Sequence, residues 1–297
     1  MLINRSNLAD MFRGFRVIFQ DAWQQAPSMY AQVATTVPST GSEEHYAWLG
    51  TMPRFREWLG DRVVNSLSTG DYTIKNKPFE LTIGVDRDHI EDDKIGVYRP
   101  MIQALGQESK THPDEMVFAQ LQAGFNTLCY DGQYFFDTDH PVVNADGTMG
   151  TWSNFGGGAG TAWYLIDDSR PIKPIIFQKR REYSFVAMTD TNDEAVFTRK
   201  EFRYGVDARV NCGFGLPHLA YASKQTLDAT NYSAARSAMG SLKGDKGKPL
   251  AIQGRLLLVP PSLEKAGAEI LQAQRLSNGA DNVMQGTAKL VVCPWLA

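Results

Sequence analysis

The densest grouping of chemically capable side chains is Asp137-Thr138-Asp139-His140, two carboxylates and an imidazole in consecutive positions around a threonine. Such a set could ligate a divalent metal or exchange protons with a substrate. A metal centre, however, needs three or four converging ligands, each oriented by a further partner. The surroundings favour a plainer role. The set follows the aromatic run Tyr134-Phe135-Phe136 and stands directly before Pro141. Asp and Thr in that setting bond nearby backbone and make turns. The turn is the favoured reading, and a metal-dependent hydrolase centred on Asp137, Asp139 and His140 is the alternative. A second cluster, Asp86, Asp88, His89, Glu91, Asp92 and Asp93, lacks the alternating ligands and central glycine of a calcium loop. Acids ahead of a helix starting near Ile95 favour its positive end, so capping and ion pairing are expected of them.

Other motifs fall short of their chemistry. Glu43-Glu44-His45 is not H-E-x-x-H, and no second His follows one turn later. His112 and His218 sit beside prolines in turn-like contexts, and structural roles are expected of both. Gly244-Asp245-Lys246-Gly247-Lys248-Pro249 lacks the spacer of a P-loop and carries Pro249 where Ser or Thr must bind magnesium. Gly213-Phe214-Gly215 lacks the third glycine and the βαβ setting of a dinucleotide fingerprint. No G-x-S-x-G nucleophile elbow occurs. No catalytic residue, cofactor or metal is therefore expected, and weight moves from enzyme to structural protein.

The elements around these residues are legible from periodicity. Leu8, Met11, Phe12, Phe15, Ile18, Phe19, Ala22 and Trp23 recur at helical steps, predicting an amphipathic helix over 6–23 with Ser6 as its cap. Its aromatic stripe could pack on its own domain or on a neighbouring subunit. Residues 24–45 read as an extended connector. A helix is predicted over 53–69. From Tyr72 the period becomes two: Tyr72 and Ile74, then Phe79, Leu81, Ile83 and Val85 after Asn76-Lys77-Pro78, which predicts a β-hairpin. Residues 97–128 read as one helix bent at Pro113 or as two helices. Residues 144–161, rich in Gly, Asn, Ser and Thr, read as a loop. Later strands are expected at 163–166, 175–177, 201–210, 256–259 and 290–293. Helices are expected at 231–239, capped by Asn231, and after Pro260-Pro261-Ser262. No internal repeat is visible.

Composition narrows the class. The chain has 297 residues, a net charge of −3 and ordinary apolar content, which suits one large or two modest domains. A tight nucleic-acid binder usually carries a basic excess. The most basic run, Lys179-Arg180-Arg181, is followed at once by Glu182 and reads as a solvated strand end. Cys129, Cys212 and Cys293 are scattered, which fits buried thiols in a reducing cytoplasm rather than a disulfide framework. Neither a secretory h-region nor a membrane-spanning run is seen.

Ordered motifs carry a family resemblance along nearly the whole chain. They are Met1-Leu2-Ile3-Asn4-Arg5 with Asn7-Leu8-Ala9-Asp10, Tyr46-Ala47-Trp48-Leu49-Gly50 with Arg56-Glu57-Trp58-Leu59-Gly60-Asp61-Arg62, Tyr72-Thr73-Ile74-Lys75-Asn76-Lys77 with Phe79-Glu80-Leu81, and Gly84-Val85-Asp86-Arg87 with Ile90-Glu91-Asp92-Asp93. Tyr130-Asp131-Gly132-Gln133-Tyr134-Phe135-Phe136-Asp137-Thr138-Asp139-His140-Pro141 is the most specific. Tyr204-Gly205-Val206-Asp207-Ala208-Arg209, Val259-Pro260-Pro261-Ser262-Leu263-Glu264 and Pro294-Trp295-Leu296 complete the series. In order and spacing these resemble the major head subunits of Mu-like phages and prophages.

The resemblance implies an α+β chain with the tailed-phage major capsid fold, of the Hong Kong 97-like type. It would comprise an N-terminal arm (1–45), an entry segment with a projecting β-hairpin loop (46–95), a peripheral domain with a spine helix (96–225) and an axial domain (226–297). It also implies self-assembly through pentameric and hexameric capsomers, made in the host cytoplasm and residing in the virion. The expected partners are further copies of the chain, scaffold/protease and portal proteins, and packaged double-stranded DNA through non-specific contact, with no membrane. Phe12, Phe15, Phe19 and Trp23 of the stripe, and Tyr72, Lys75, Lys77 and Phe79 of the hairpin, are the candidate intersubunit contacts. A tail or decoration component is the further alternative.

Overall fold

The computed structural model describes residues 3–46, 49, 72–92, 94–190, 193–275 and 279–297. The helix expected over 53–69 lies outside the described residues. Helix α1 spans Arg5–Gln25, and its cap is Asn4 rather than Ser6: Asn4 Oδ1 accepts from the Asn7 N–H at 2.8 Å. Leu8, Met11, Phe15, Phe19 and Ala22 point inward along one face. They pack on the chain's own helix α3 and on its large sheet, described below.

The connector after α1 is extended but pinned. Strand β1 (Ala34–Pro38) lies parallel to residues 175–179, and β2 (Glu43–His45) pairs antiparallel with β3 (Thr73–Lys75). Strand β4 (Lys77–Asp86) pairs with residues 201–210 and not with β3. The hairpin expected at 72–85 is therefore corrected. Both strands exist, but they turn to different partners. Asn76 does not make a tight turn, because its buried amide bonds outward to Ser39 and Gly41.

Asp86 opens the short helix α2 (Arg87–Glu91) by accepting from the Asp88 N–H at 2.7 Å. The rest of the acidic cluster pairs as expected of solvated charges: Arg87 with Glu91 and Lys94 with Asp92. Asp93 lies outside the described residues. Helix α3 runs unbroken over Arg99–Ala123 with Pro113 inside it. Pro113 removes one N–H from the ladder, and Ser109 Oγ bonds back to the Leu105 carbonyl in the turn before it.

After the strand β5 (His140–Val143), the Gly-rich stretch read as a loop contains two short strands, β6 (Met149–Trp152) and β7 (Phe155–Gly158). Then follow β8 (Trp163–Ile166), β9 (Ile175–Met188), helix α4 (Glu194–Arg199), β10 (Glu201–Phe214) and β11 (Ala220–Lys224). Helix α5 (Ala229–Ser241) is capped by Asp228, three residues ahead of the expected Asn231, whose N–H it accepts. The small β12–β13 pair (Lys243–Gly244 and Lys248–Pro249), β14 (Leu256–Val259), α6 (Glu264–Leu271) and β15 (Lys289–Val292) complete the chain.

Two sheets organise these elements. One has the order β1-β9-β10-β4, with α1 and α3 packed on it. The other has the order β15-β14-β8-β11-β7. The second draws strands from both sides of residue 225, so the boundary expected there runs through a single sheet. Strand pairing ignores the order in which the strands are made, and 155–224 supply three of its five members.

Two contacts hold the N-terminal part to the spine helix. At Gly106 of α3, α1 passes so close that a Cβ would stand 2.6 Å from the Phe19 carbonyl oxygen and 2.9 Å from the Ala22 Cβ. Eight residues on, the buried Asp114 carboxylate accepts from Ser28 Oγ (3.0 Å), the Met29 N–H (3.0 Å) and the Tyr30 N–H (2.7 Å). Burial pushes Asp114 above the usual carboxylate range, and these hydrogen bonds pull it partly back. Replacing Asp114 by Ala strands two backbone donors, each costing about 1–3 kcal/mol. We expect Asp114→Ala to lower the urea-unfolding stability of the unassembled chain by about 2–4 kcal/mol. Asp114→Asn keeps the accepting oxygen and should cost under about 1 kcal/mol. Equal losses in the two variants would contradict this account.

Candidate functional site

A polar latch ties the β2–β3 pair to the body. Gln178 on β9 is wholly buried, and every polar atom of its side chain is bonded. Its Nε2 donates to the Ile74 carbonyl (3.0 Å) and to Asn76 Oδ1 (2.8 Å), and its Oε1 accepts from Tyr46 Oη (2.8 Å). Asn76 Nδ2 in turn donates to Ser39 Oγ (2.8 Å) and the Gly41 carbonyl (3.0 Å). Glu44 accepts from Ser39 Oγ and from the Thr40 and Gly41 N–H groups, and these bonds, the Thr40 one foremost, hold its carboxyl below the usual range. Glu44 thus serves a turn. At the end of the β2–β3 pair the Tyr72 carbonyl accepts the Tyr46 N–H.

The candidate contacts of the aromatic stripe meet aromatic rings of the same chain. Phe15 and Phe19 are buried; Phe15 meets Tyr204 edge-on at 5.1 Å and Phe19 stacks on Phe185 at 5.1 Å. Phe12 stacks on Phe185 at 5.5 Å and Trp23 leans on Tyr183 at 5.4 Å, both half-buried. Tyr72 also turns inward, its Oη accepting from the Phe214 N–H at 2.6 Å, and burial pushes it up to about 12. Phe79 is half-buried with its ring 4.5 Å from that of His112. Only Lys75 and Lys77 of the eight are exposed. They flank the buried Asn76 of the latch.

The basic run is likewise engaged. Lys179 pairs with Glu182, Arg181 with Asp207, and Arg180 donates to the Ser39 carbonyl.

The hydrolase alternative fails on geometry. Asp137 caps local backbone, accepting from the Thr138 N–H at 2.7 Å, and Asp139 is exposed. His140 turns away from both into the interior. Its Nδ1 lies 2.7 Å from Asp131 Oδ2 and its Nε2 3.2 Å from Asn154 Oδ1. Its ring stacks on Trp152, whose other face meets His218 at 4.1 Å. Cys129 Sγ donates to Asp131 Oδ1 at 3.0 Å. Burial works against the Asp131 charge, but bonds from His140, Cys129 and the Gln133 N–H outweigh it and hold the carboxyl below its usual range. Sequence reasoning missed Asp131, Asn154 and His218 as partners of His140. The one usable signal is that Asp131 and His140 lie in the same motif, separated by a turn at Gly132, where φ is +85°.

A long spine helix under one sheet, a second sheet beside it and an N-terminal helix folded onto both helix and sheet define a capsid-type subunit. Comparison with known proteins agrees. The family model of the Mu-like prophage major head subunit gpT matches residues 8–296. The FluMu major head subunit of a Mu-like prophage in Haemophilus influenzae is 45% identical over 271 residues, covering 89% of this chain and 88% of that protein. The major capsid protein of Escherichia phage Mu is 37% identical over the full length of both. A chain of the bacteriophage JBD30 procapsid matches with TM-score 0.88 and 46% identity over 99% of this chain and all of that one. A chain of the JBD30 capsid matches at TM-score 0.79 and 35% identity over 94% of each. The chain therefore belongs to the Mu-like prophage major head subunit family. It is a structural capsid protein with the tailed-phage capsid fold, and not an enzyme. No helix among the described residues is long and apolar enough to cross a membrane.

Two predictions follow from the buried polar groups. Gln178→Leu removes the donor to Ile74 and Asn76 and the acceptor for Tyr46, so stability should fall by about 2–4 kcal/mol. Hydrogen exchange at Thr73–Lys75 should quicken in the same variant, and unchanged exchange there would count against the latch. Burial holds His218 down to about 4, against 6.5 for a free imidazole. The folded ring is therefore neutral where the unfolded ring would be charged, so its contribution is intact above pH 6.5 and is lost as pH falls towards 4. His218→Phe should flatten the acid loss of stability in that window; a curve parallel to that of the unaltered chain would refute the assignment.

Proposed function

We propose that copies of this chain join in rings of five and six that close into an icosahedral shell around the phage genome. The observation that carries the reading is the match to the JBD30 procapsid chain over 99% of this chain. Such a subunit must repeat one set of contacts with small adjustments around each ring. Its stability then comes from summed interface area and not from one strong bond.

In this reading the β2–β3 pair is the fixed root from which the subunit reaches a neighbour, and Lys75 and Lys77 are the charges it presents. Strand β4, the outer strand of its sheet, and the half-buried Phe79 border the same side. The first sheet with α3 forms the peripheral part, and the second sheet with α5 and α6 forms the axial part near the ring centre. Scaffold/protease and portal proteins supply initiation and size in the host cytoplasm. Double-stranded DNA meets the inner wall non-specifically, consistent with a basic run already paired to acids.

The test is co-expression of the chain with the phage's scaffold, followed by sedimentation and negative-stain microscopy. Closed shells are expected, with this chain the dominant band of the particles. A minor band would favour a tail or decoration role. Compact small oligomers under every condition would overturn the proposal. Lys75→Glu with Lys77→Glu should abolish shells while leaving the melting temperature of the unassembled chain within about 2 °C, since exposed charges contribute little to folding.

A further inference from the structure

We propose that Cys129 Sγ, an Asp131 carboxylate oxygen and His140 Nδ1 form a binding site for a divalent transition metal of the zinc class. The three ligand atoms lie within 4.8 Å of one another. One ion with bonds of about 2.0–2.3 Å to nitrogen, oxygen and sulfur can reach all of them once the closest pair opens by a few tenths of an ångström.

The hydrogen-bond pattern points the same way. The Asn154 amide nitrogen donates to the Phe135 carbonyl at 2.8 Å and to the Pro217 carbonyl at 3.2 Å. Its oxygen therefore faces the Asp137 N–H at 2.9 Å and His140 Nε2 at 3.2 Å. An acceptor at that place requires Nε2 to carry a hydrogen. A neutral His140 then bears its lone pair on Nδ1, which stands 2.7 Å from an oxygen of the Asp131 carboxylate. Two lone-pair atoms that close require positive charge between them. The arrangement is that of a metal-binding histidine, with the ligating nitrogen aimed at the site and the other nitrogen oriented by a carbonyl-type oxygen.

Charge and access fit as well. With no ion near, the Cys129 thiol donates its hydrogen to Asp131 Oδ1 at 3.0 Å. On binding, the S–H bond breaks, the metal replaces the proton between Nδ1 and the Asp131 carboxylate, and two protons leave to solvent as the sulfur–metal, nitrogen–metal and oxygen–metal bonds form. The thiolate and the Asp131 carboxylate then neutralise the ion in an interior that tolerates little net charge. Asp131 also lines a cleft of about 250 Å³ together with Tyr130, Trp152, His218 and Asp245. The cleft offers an entry route and space for a water as fourth ligand. His218 Nδ1 is buried with no hydrogen-bond partner among the described residues. The ion would staple the segment after α3 to the start of β5.

The experiment uses the full-length chain purified without chelator. Metal analysis should return about one zinc per chain. After removal of the zinc, one equivalent of cobalt(II) should give the sulfur-to-cobalt charge-transfer band and the strong visible bands of a tetrahedral site, displaced by zinc. Cys129→Ser keeps a hydroxyl to bond Asp131 but should abolish the charge-transfer band, and His140→Gln should weaken binding at least tenfold. A chain that takes up neither zinc nor cobalt stoichiometrically would overturn the proposal, leaving a proton as the charge between His140 and Asp131. So would an unchanged cobalt spectrum in Cys129→Ser.

Discussion

The buried carboxylate of Asp114 is the constraint on which the rest of the subunit turns. A carboxylate leaves water only if its oxygens are met by donors. Here the donors come from Ser28, Met29 and Tyr30, some 85 residues earlier in the chain. Satisfying Asp114 therefore fixes where α1 ends and where the connector starts. Once that point is fixed, α1 can lie only along α3, and Gly106 permits the close approach that seats Phe19 and Ala22. The connector then enters the first sheet as β1, beside β9.

A second polar constraint follows from the first. With β1 in place, the chain runs over β9 at Ser39–Gly41 and meets Gln178 and Asn76. Those two side chains are buried and can be tolerated only when fully bonded, so the root of the β2–β3 pair is held in one geometry. A subunit that must make the same contact many times needs its reaching elements anchored at their base. The hydrogen bonds of Gln178 and Asn76 are of that kind, and Lys75 and Lys77 stay exposed on either side of the buried Asn76.

Local periodicity made α1, α3 and β10 readable, and the long β10 even exceeds its expected range. Pairing was not readable. The alternation from Tyr72 to Val85 signals two strands, yet whether they pair with each other depends on Ser39, Gly41 and Gln178, all distant in sequence. The aromatic stripe of α1 reads the same whether it packs on its own chain or another; in the fold its rings meet Phe185, Tyr183 and Tyr204 across the sheet. His140 was singled out with the wrong partners. Adjacency suggested Asp137 and Asp139, whereas the fold brings Asp131 and Asn154, because the turn at Gly132 reverses the chain between them. Family resemblance supplied the function, since shell building leaves no converged set of reactive groups for sequence reasoning to find.

The central claim is that each subunit folds its N-terminal helix back on its own spine helix. A reconstruction of the assembled particle, at a resolution that traces the connector from Gln25 to Ala34, tests it most directly. The account predicts continuous density joining α1 to β1 of the same polypeptide, with Phe19 over Gly106 of that chain. Density placing α1 on the spine helix of a neighbouring subunit would contradict it.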